Sequence, residues 1–142
     1  MDFRRLHRDL YRNQIPVVNL LLPIFLAKGS MGLVVLKKEG RYILPGGYIE
    51  SGKDWKEVCV EVSRFGARVR MESLAVFWPI DCFSSNHKAV FVLFAQSPSI
   101  KEEDLLKWKN RGDTERVVLE QFAEMAFSHH TEMVSRFFRT SQ

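Results

Sequence analysis

The sequence predicts an α+β fold, an α/β/α sandwich in which a mixed β-sheet is flanked by helices. Three observations carry that expectation. Apolar runs rich in Val, Leu and Ile recur between turn signals at residues 16–27, 32–38 and 41–44. A helix signal opens at Asp54. Two further β-rich runs, 68–80 and 88–95, precede a short strand at 115–119 and two helical stretches. The order is α-β-β-β-α-β-β-(β)-α-α without repeat or low-complexity tract, so the chain reads as a single domain over 1–142.

Each element has a local reason. In the N-terminal segment 1–13, Phe3, Leu6, Leu10 and Tyr11 share one side at helical spacing with arginines elsewhere, which predicts a short amphipathic helix. "IPVVNLLLPIFLA" is too short to span a bilayer and is interrupted by Asn19 and Pro23, so it predicts a buried strand and no membrane segment. Lys28-Gly29-Ser30 and Glu39-Gly40 supply the turns that follow. Asp54 is placed as an N-cap with Glu57 at the third helical position, the capping-box arrangement. Trp55, Val58, Val62 and Phe65 then give that helix one apolar stripe. Ser84–His87 is a polar turn, and "EQFAEMAF" (120–127) and "TEMVSRFF" (131–138) read as helices.

With 142 residues, 46% hydrophobic, the chain can bury a core without disulfide or metal staples. Cys59 and Cys82 form neither a C-x-x-C pair nor a disulfide framework, which fits a reducing, cytoplasmic setting. Asp2 and Asp9 interrupt the basic start, and no small-x-small cleavage site follows, so a secretory leader is not expected. The formal charge of +4 favours anionic partners. It is concentrated in "RRLHRDLYR" and "RFGARVR", where interleaved apolar residues suggest solvated faces of folded elements.

The stretch that bears on function is "LPGGYIESGKDWKEVCVEVSRFGARV", Leu44 to Val69. A Gly46-Gly47 turn, the carboxylate of Glu50, another glycine at Gly52 and a helix start follow in order. This stretch resembles the box of the Nudix hydrolases, G-x5-E-x7-R-E-U-x-E-E-x-G-U with U aliphatic. "MGLVVLKKEGRYILPGG" resembles the strand pair leading into that box, "HKAVFVLFA" the strand after it, and "RVVLEQFAEMAFSHH" the C-terminal strand-to-helix segment. The resemblance thus covers nearly the whole chain. It implies cleavage of a nucleoside diphosphate linked to another moiety, with Mg²⁺ or Mn²⁺ neutralising phosphate charge and activating water. Box carboxylates at i, i+3 and i+4 would share one helical face to hold the ion.

Here those carboxylates are largely replaced. Without gaps from Gly47, the first box Glu falls on Lys53, the Arg on Glu61, and the metal-binding glutamates on Val62, Phe65 and Gly66. Lys53 and Glu61 would then keep the family's structural ion pair with its charges reversed. With one residue deleted, Val62 becomes the aliphatic U, and the three glutamates fall on Glu61, Arg64 and Phe65. The registers differ in whether Val62 faces the cleft or the core, and both stay open.

Glu57 and Glu61, one turn apart, are the candidate catalytic carboxylates and the candidate metal ligands. Alternatively, Glu57 completes the cap while Glu61 pairs with Lys53 or Arg64. Gly46, Gly47, Glu50, Arg64 and Arg68 are the candidate ligand-binding residues, the guanidinium groups acting as phosphate clamps or else as a solvated rim. Adjacent His129 and His130 point about 100° apart on a helix, which favours capping or surface placement over a metal pair. Asp81 and His87 read as surface-loop residues or an outside base, and Phe77, Trp78 and Phe83 as core or a stacking platform.

The resemblance with those replacements implies a protein that binds a nucleotide or nucleotide-sugar, with metal-dependent pyrophosphohydrolase activity lost or much reduced. Two alternatives stand beside it. One is a divergent but active Nudix hydrolase using Mg²⁺ or Mn²⁺. The other is a nucleic-acid or protein interaction module that contacts RNA through its basic N-terminal helix.

Overall fold

The long apolar run after Pro16 forms β1 (Val17–Phe25), buried continuously from Val18 to Ile24. A strand covered on both faces needs such an unbroken run. The computed structural model describes residues 15–63, 69–85, 88–105, 112 and 114–140. The expected N-terminal helix, Arg64, Phe65, Gly66, Arg68 and His87 lie outside the described residues.

Seven further strands follow: β2 (Met31–Lys38), β3 (Arg41–Ile43), β4 (Gly46–Tyr48), β5 (Ala75–Ser85), β6 (Lys88–Gln96), β7 (Ile100–Lys101) and β8 (Thr114–Leu119). The helices are α1 (Trp55–Val62), α2 (Glu102–Leu105) and α3 (Ser128–Thr140). The strands form one mixed sheet in the order β3-β2-β1-β6-β5, with β4 and β7 also on β1 and β8 on β2.

The two faces separate by residue parity. Val18, Leu20, Leu22 and Ile24 of β1 join Val34, Leu93 and Ala95 in a cluster with Val58 and Cys59 of α1. Leu21, Leu33, Val35, Val92 and Phe94 join Met133, Val134, Phe137 and Phe138 of α3. The period of two sends alternate side chains to opposite faces, and one helix covers each face. This is the expected α/β/α sandwich.

Along β1 the pairing changes partner. Leu22–Phe25 pair antiparallel with β2, whereas Val17–Asn19 pair antiparallel with β4 on the same edge. The opposite edge is parallel to β6 and then to β7. β2 departs from β1 after Val34 and pairs with β3 from Leu36 onward. The sheet is therefore split between β2–β3 and β1–β4, and a cleft opens at the split.

Several local expectations change. Residues 120–127 are not helical. Their backbone is held from elsewhere: Ala126 N–H donates to the Tyr42 carbonyl at 2.7 Å and Met125 N–H to Thr131 Oγ1 at 2.9 Å. The first run after the box, expected over 68–80, is a strand only from Ala75, after a 3₁₀ turn at Met71–Ser73, and it continues to Ser85, into the start of the expected polar turn. β4 falls within an expected loop, because two glycines carry no side-chain alternation to read. Among the described residues, no helix is long and apolar enough to cross a membrane.

Candidate ligand-binding site

The site is built around Gly46 and Gly47, which pair with Asn19 and Val18 respectively. A Cβ on Gly46 would run into the Asn19 side chain and stand 2.7 Å from the Val18 carbonyl oxygen. One on Gly47 would stand 3.0 Å from Val58 Cγ1 and 3.4 Å from Val62 Cγ1. The first glycine lets β4 lie on β1, and the second lets α1 lie on β4. Asn19, buried within the sheet, donates from Nδ2 to the Leu44 carbonyl at 3.3 Å and fixes the chain entering the turn.

The segment joining β4 to α1 turns at Glu50–Lys53, where Lys53 N–H donates to the Glu50 carbonyl at 3.0 Å and Gly52 takes φ +86°. Asp54 caps α1 by accepting from Lys56 N–H at 3.3 Å, one residue earlier than the capping box places the bond. Val58 and Cys59 are buried, and Trp55 and Val62 pack partly buried against the same cluster. Val62 thus faces the sheet and Gly47, not open space. Burial and then the nearby Asp54 carboxylate push the Cys59 thiol up to about 12, which leaves it inert as a nucleophile.

Glu57 and Glu61 lie exposed on the outer side of α1. Lys53 Nζ donates to both Glu61 oxygens, at 3.2 and 3.1 Å. Among the described residues, no group of three or more His, Cys, Asp or Glu side chains is placed to hold a metal ion. A hard cation wants several oxygen ligands. One exposed glutamate beside another already held by an ammonium does not fit that demand.

At the split lies a cavity of about 340 Å³ lined by Gly46 and Gly47. Its apolar wall includes Val17, Leu36, Leu44 and Val92, and its polar groups are Asn19, Tyr48, His129 and His130. Among the described residues, no lining side chain is formally charged. A larger groove of about 720 Å³, between Leu26, Leu105 and Phe122, shares no lining residue with it.

His129 and His130 are both buried, contrary to the surface placement expected from their adjacency. His130 Nδ1 accepts the Leu44 N–H at 3.2 Å. Burial and then neighbouring His129 push its pKa down to about 3. Burial also lowers His129, whose Nδ1 is buried and has no hydrogen-bond partner among the described residues. The His129 ring stacks on Phe83 at 5.5 Å and lies 5.8 Å from the Phe127 ring. Their signal was present in the sequence: counting back by four from Phe137 and Phe138, through Met133 and Val134, gives His129 and His130. The pair belongs to the apolar stripe of α3.

Of the sequence candidates, Gly46 and Gly47 line the cavity. Glu50, Glu57 and Glu61 do not, and Arg64 and Arg68 fall outside the described residues. Asp81 is exposed on β5 and accepts from its neighbour Cys82 N–H at 2.8 Å. Trp78 carries the Arg136 guanidinium at 4.4 Å from its ring centre, and Phe83 packs on the α3-side core.

No protein-family model matches the sequence, and no curated protein matches it. Solved structures do. Shewanella oneidensis NrtR aligns with TM-score 0.69 at 11% identity over 89% of this chain, which spans 63% of that protein's length. The Nudix domain of the same protein, solved with ADP-ribose, aligns with TM-score 0.66 at 9% identity over 99% of both chains. RenU, a Nudix hydrolase of M. smegmatis, aligns with TM-score 0.55 at 16% identity over 89% of this chain and 84% of its own. At such identities the likeness shows the fold alone.

Proposed function

We propose that this chain, which has the Nudix fold, binds a nucleoside-diphosphate-type ligand, a nucleotide or nucleotide-sugar, at the Gly46-Gly47 cleft, with metal-dependent phosphoanhydride hydrolysis lost or much reduced. The observation that carries the reading is the state of the α1 carboxylates. Glu61 is neutralised by Lys53, Glu57 stands exposed, and the positions expected to complete a metal site include the core-facing Val62. The ADP-ribose complex of a structural neighbour supports the ligand class.

In this reading the chain's own residues bind and orient. The two glycines bring backbone close to the ligand, and the uncharged wall excludes water from its ring. Lys53 supplies no substitute for a metal: an ammonium attracts phosphate, yet it does not turn bound water into a nucleophile at neutral pH. Binding therefore needs no divalent ion. Calorimetric titration with ADP-ribose in EDTA and in Mn²⁺ tests this, with closely similar affinities expected. Binding seen only with Mn²⁺ would favour the divergent active hydrolase, with Glu57 and Glu61 as its metal ligands.

A further inference from the structure

The cavity beside Gly46 and Gly47 combines three features that restrict what can occupy it. Among the described residues, its lining side chains include no Lys, Arg, Asp or Glu. A phosphate moved into such a wall would lose its hydration without a counter-charge, at a cost far above that of a neutral polar group. Next, the Leu44 N–H occupies His130 Nδ1 as a donor, so His130 is neutral there and its proton sits on Nε2. That Nε2–H is a neutral donor on a side chain that lines the cavity. Finally, His129 is only 6% exposed and lines the same cavity, and among the described residues its buried Nδ1 has no hydrogen-bond partner. Aromatic surface stands beside these polar edges, because the Phe127 ring lies 5.2 Å from His130 and remains partly exposed.

We infer that His129 and His130 are specificity-determining residues that select an uncharged, planar heterocyclic ring of the nucleobase type, while the ligand's phosphates remain outside the cavity. The inference rests on the proposed ligand class but goes further, assigning the selecting residues and the part of the ligand they read. His130 donates from Nε2 to a ring acceptor, and His129 offers a second neutral polar edge. Phe127 supplies a face for stacking. The volume of about 340 Å³ lies at the lower end of small-ligand pockets and suits a ring system better than a whole nucleoside diphosphate.

The test uses the full chain with adenosine, guanosine, cytidine, uridine, ADP-ribose and inorganic pyrophosphate as probes. Imidazole NMR signals of His129 and His130 are followed during each titration, and affinities are measured in parallel. At least one nucleoside is expected to shift both signals, whereas pyrophosphate leaves them in place. His130→Asn keeps an acceptor for Leu44 N–H but removes the Nε2 donor, so it should weaken that nucleoside roughly three- to tenfold. Unchanged circular dichroism would show that the variant folds. ADP-ribose binding with both imidazole signals unmoved would overturn the inference and leave the binding reading intact. Pyrophosphate shifting the same signals would also overturn it. Silence from every nucleotide probe would overturn the ligand class and this inference together.

Discussion

The Lys53 ammonium bridges both carboxylate oxygens of Glu61 across the first two turns of α1, at 3.2 and 3.1 Å. Both side chains are more than a third exposed, so water screens the pair. Its consequence is chemical more than energetic: a carboxylate that could face a cation already faces one. Replacing Lys53 with Met should change stability by less than about 1 kcal/mol. Urea midpoints of the variant and the parent protein measure that difference.

Val62 provides a sharper test of how α1 sits. Its side chain shares the cluster of Val18, Leu20 and Val58 and approaches Gly47. Val62→Glu places a carboxylate against this apolar wall, and we expect a loss of about 2 kcal/mol or more. A Val62→Glu protein as stable as the parent would mean that this face of α1 is open to solvent.

The glycine pair should respond unequally to Ala. At Gly46 the added methyl meets β1 backbone and the Asn19 side chain, neither of which can yield without breaking sheet pairing. At Gly47 it meets a Val58 methyl group at 3.0 Å, which a small shift of α1 relieves. Gly46→Ala should therefore be the costlier change, by about 1–3 kcal/mol against the parent, in thermal or urea denaturation.

His130 makes stability depend on pH. Its folded pKa, near 3, lies below the ordinary 6.5. Between those values the unfolded chain binds more protons than the folded one. Stability thus rises with pH across this window and is lost as pH falls from about 6.5 toward 3, by up to about 1.4 kcal/mol per pH unit. His129 is lowered in the same direction and adds to the slope. In His130→Asn the acceptor for Leu44 N–H persists without the titration, so urea midpoints at pH 7 and pH 4.5 should differ less than in the parent.

The sandwich was legible because β1, β2, β6 and α3 carry their burial pattern in the side chains. Apolar runs of Val, Leu and Ile between turn signals marked the strands, and the stretch Thr131–Phe138 marked the last helix. Hidden features were those that backbone pairing creates. β4 exists because Gly46 and Gly47 pair with β1, and residues 120–127 lose their helix because Tyr42 and Thr131 take up their amides. The glycine turn and the Lys53–Glu61 relationship could be read along the chain. The cavity could not, because its wall joins residues from β1, β4, β6 and α3, and only the split in the sheet brings them together. Histidine adjacency suggested a surface pair, although the four-residue spacing already placed both on the buried stripe.

The most direct test of a ligand-binding Nudix fold without the metal-dependent reaction is product release itself. The folded protein is incubated with nucleoside triphosphates, dinucleoside polyphosphates, ADP-ribose and NADH in Mg²⁺ or Mn²⁺, beside its Glu57→Ala/Glu61→Ala variant, and products are followed by phosphorus NMR. No metal-dependent turnover above that of the variant is expected with any substrate. Turnover that needs the metal and falls in the double variant would contradict that expectation.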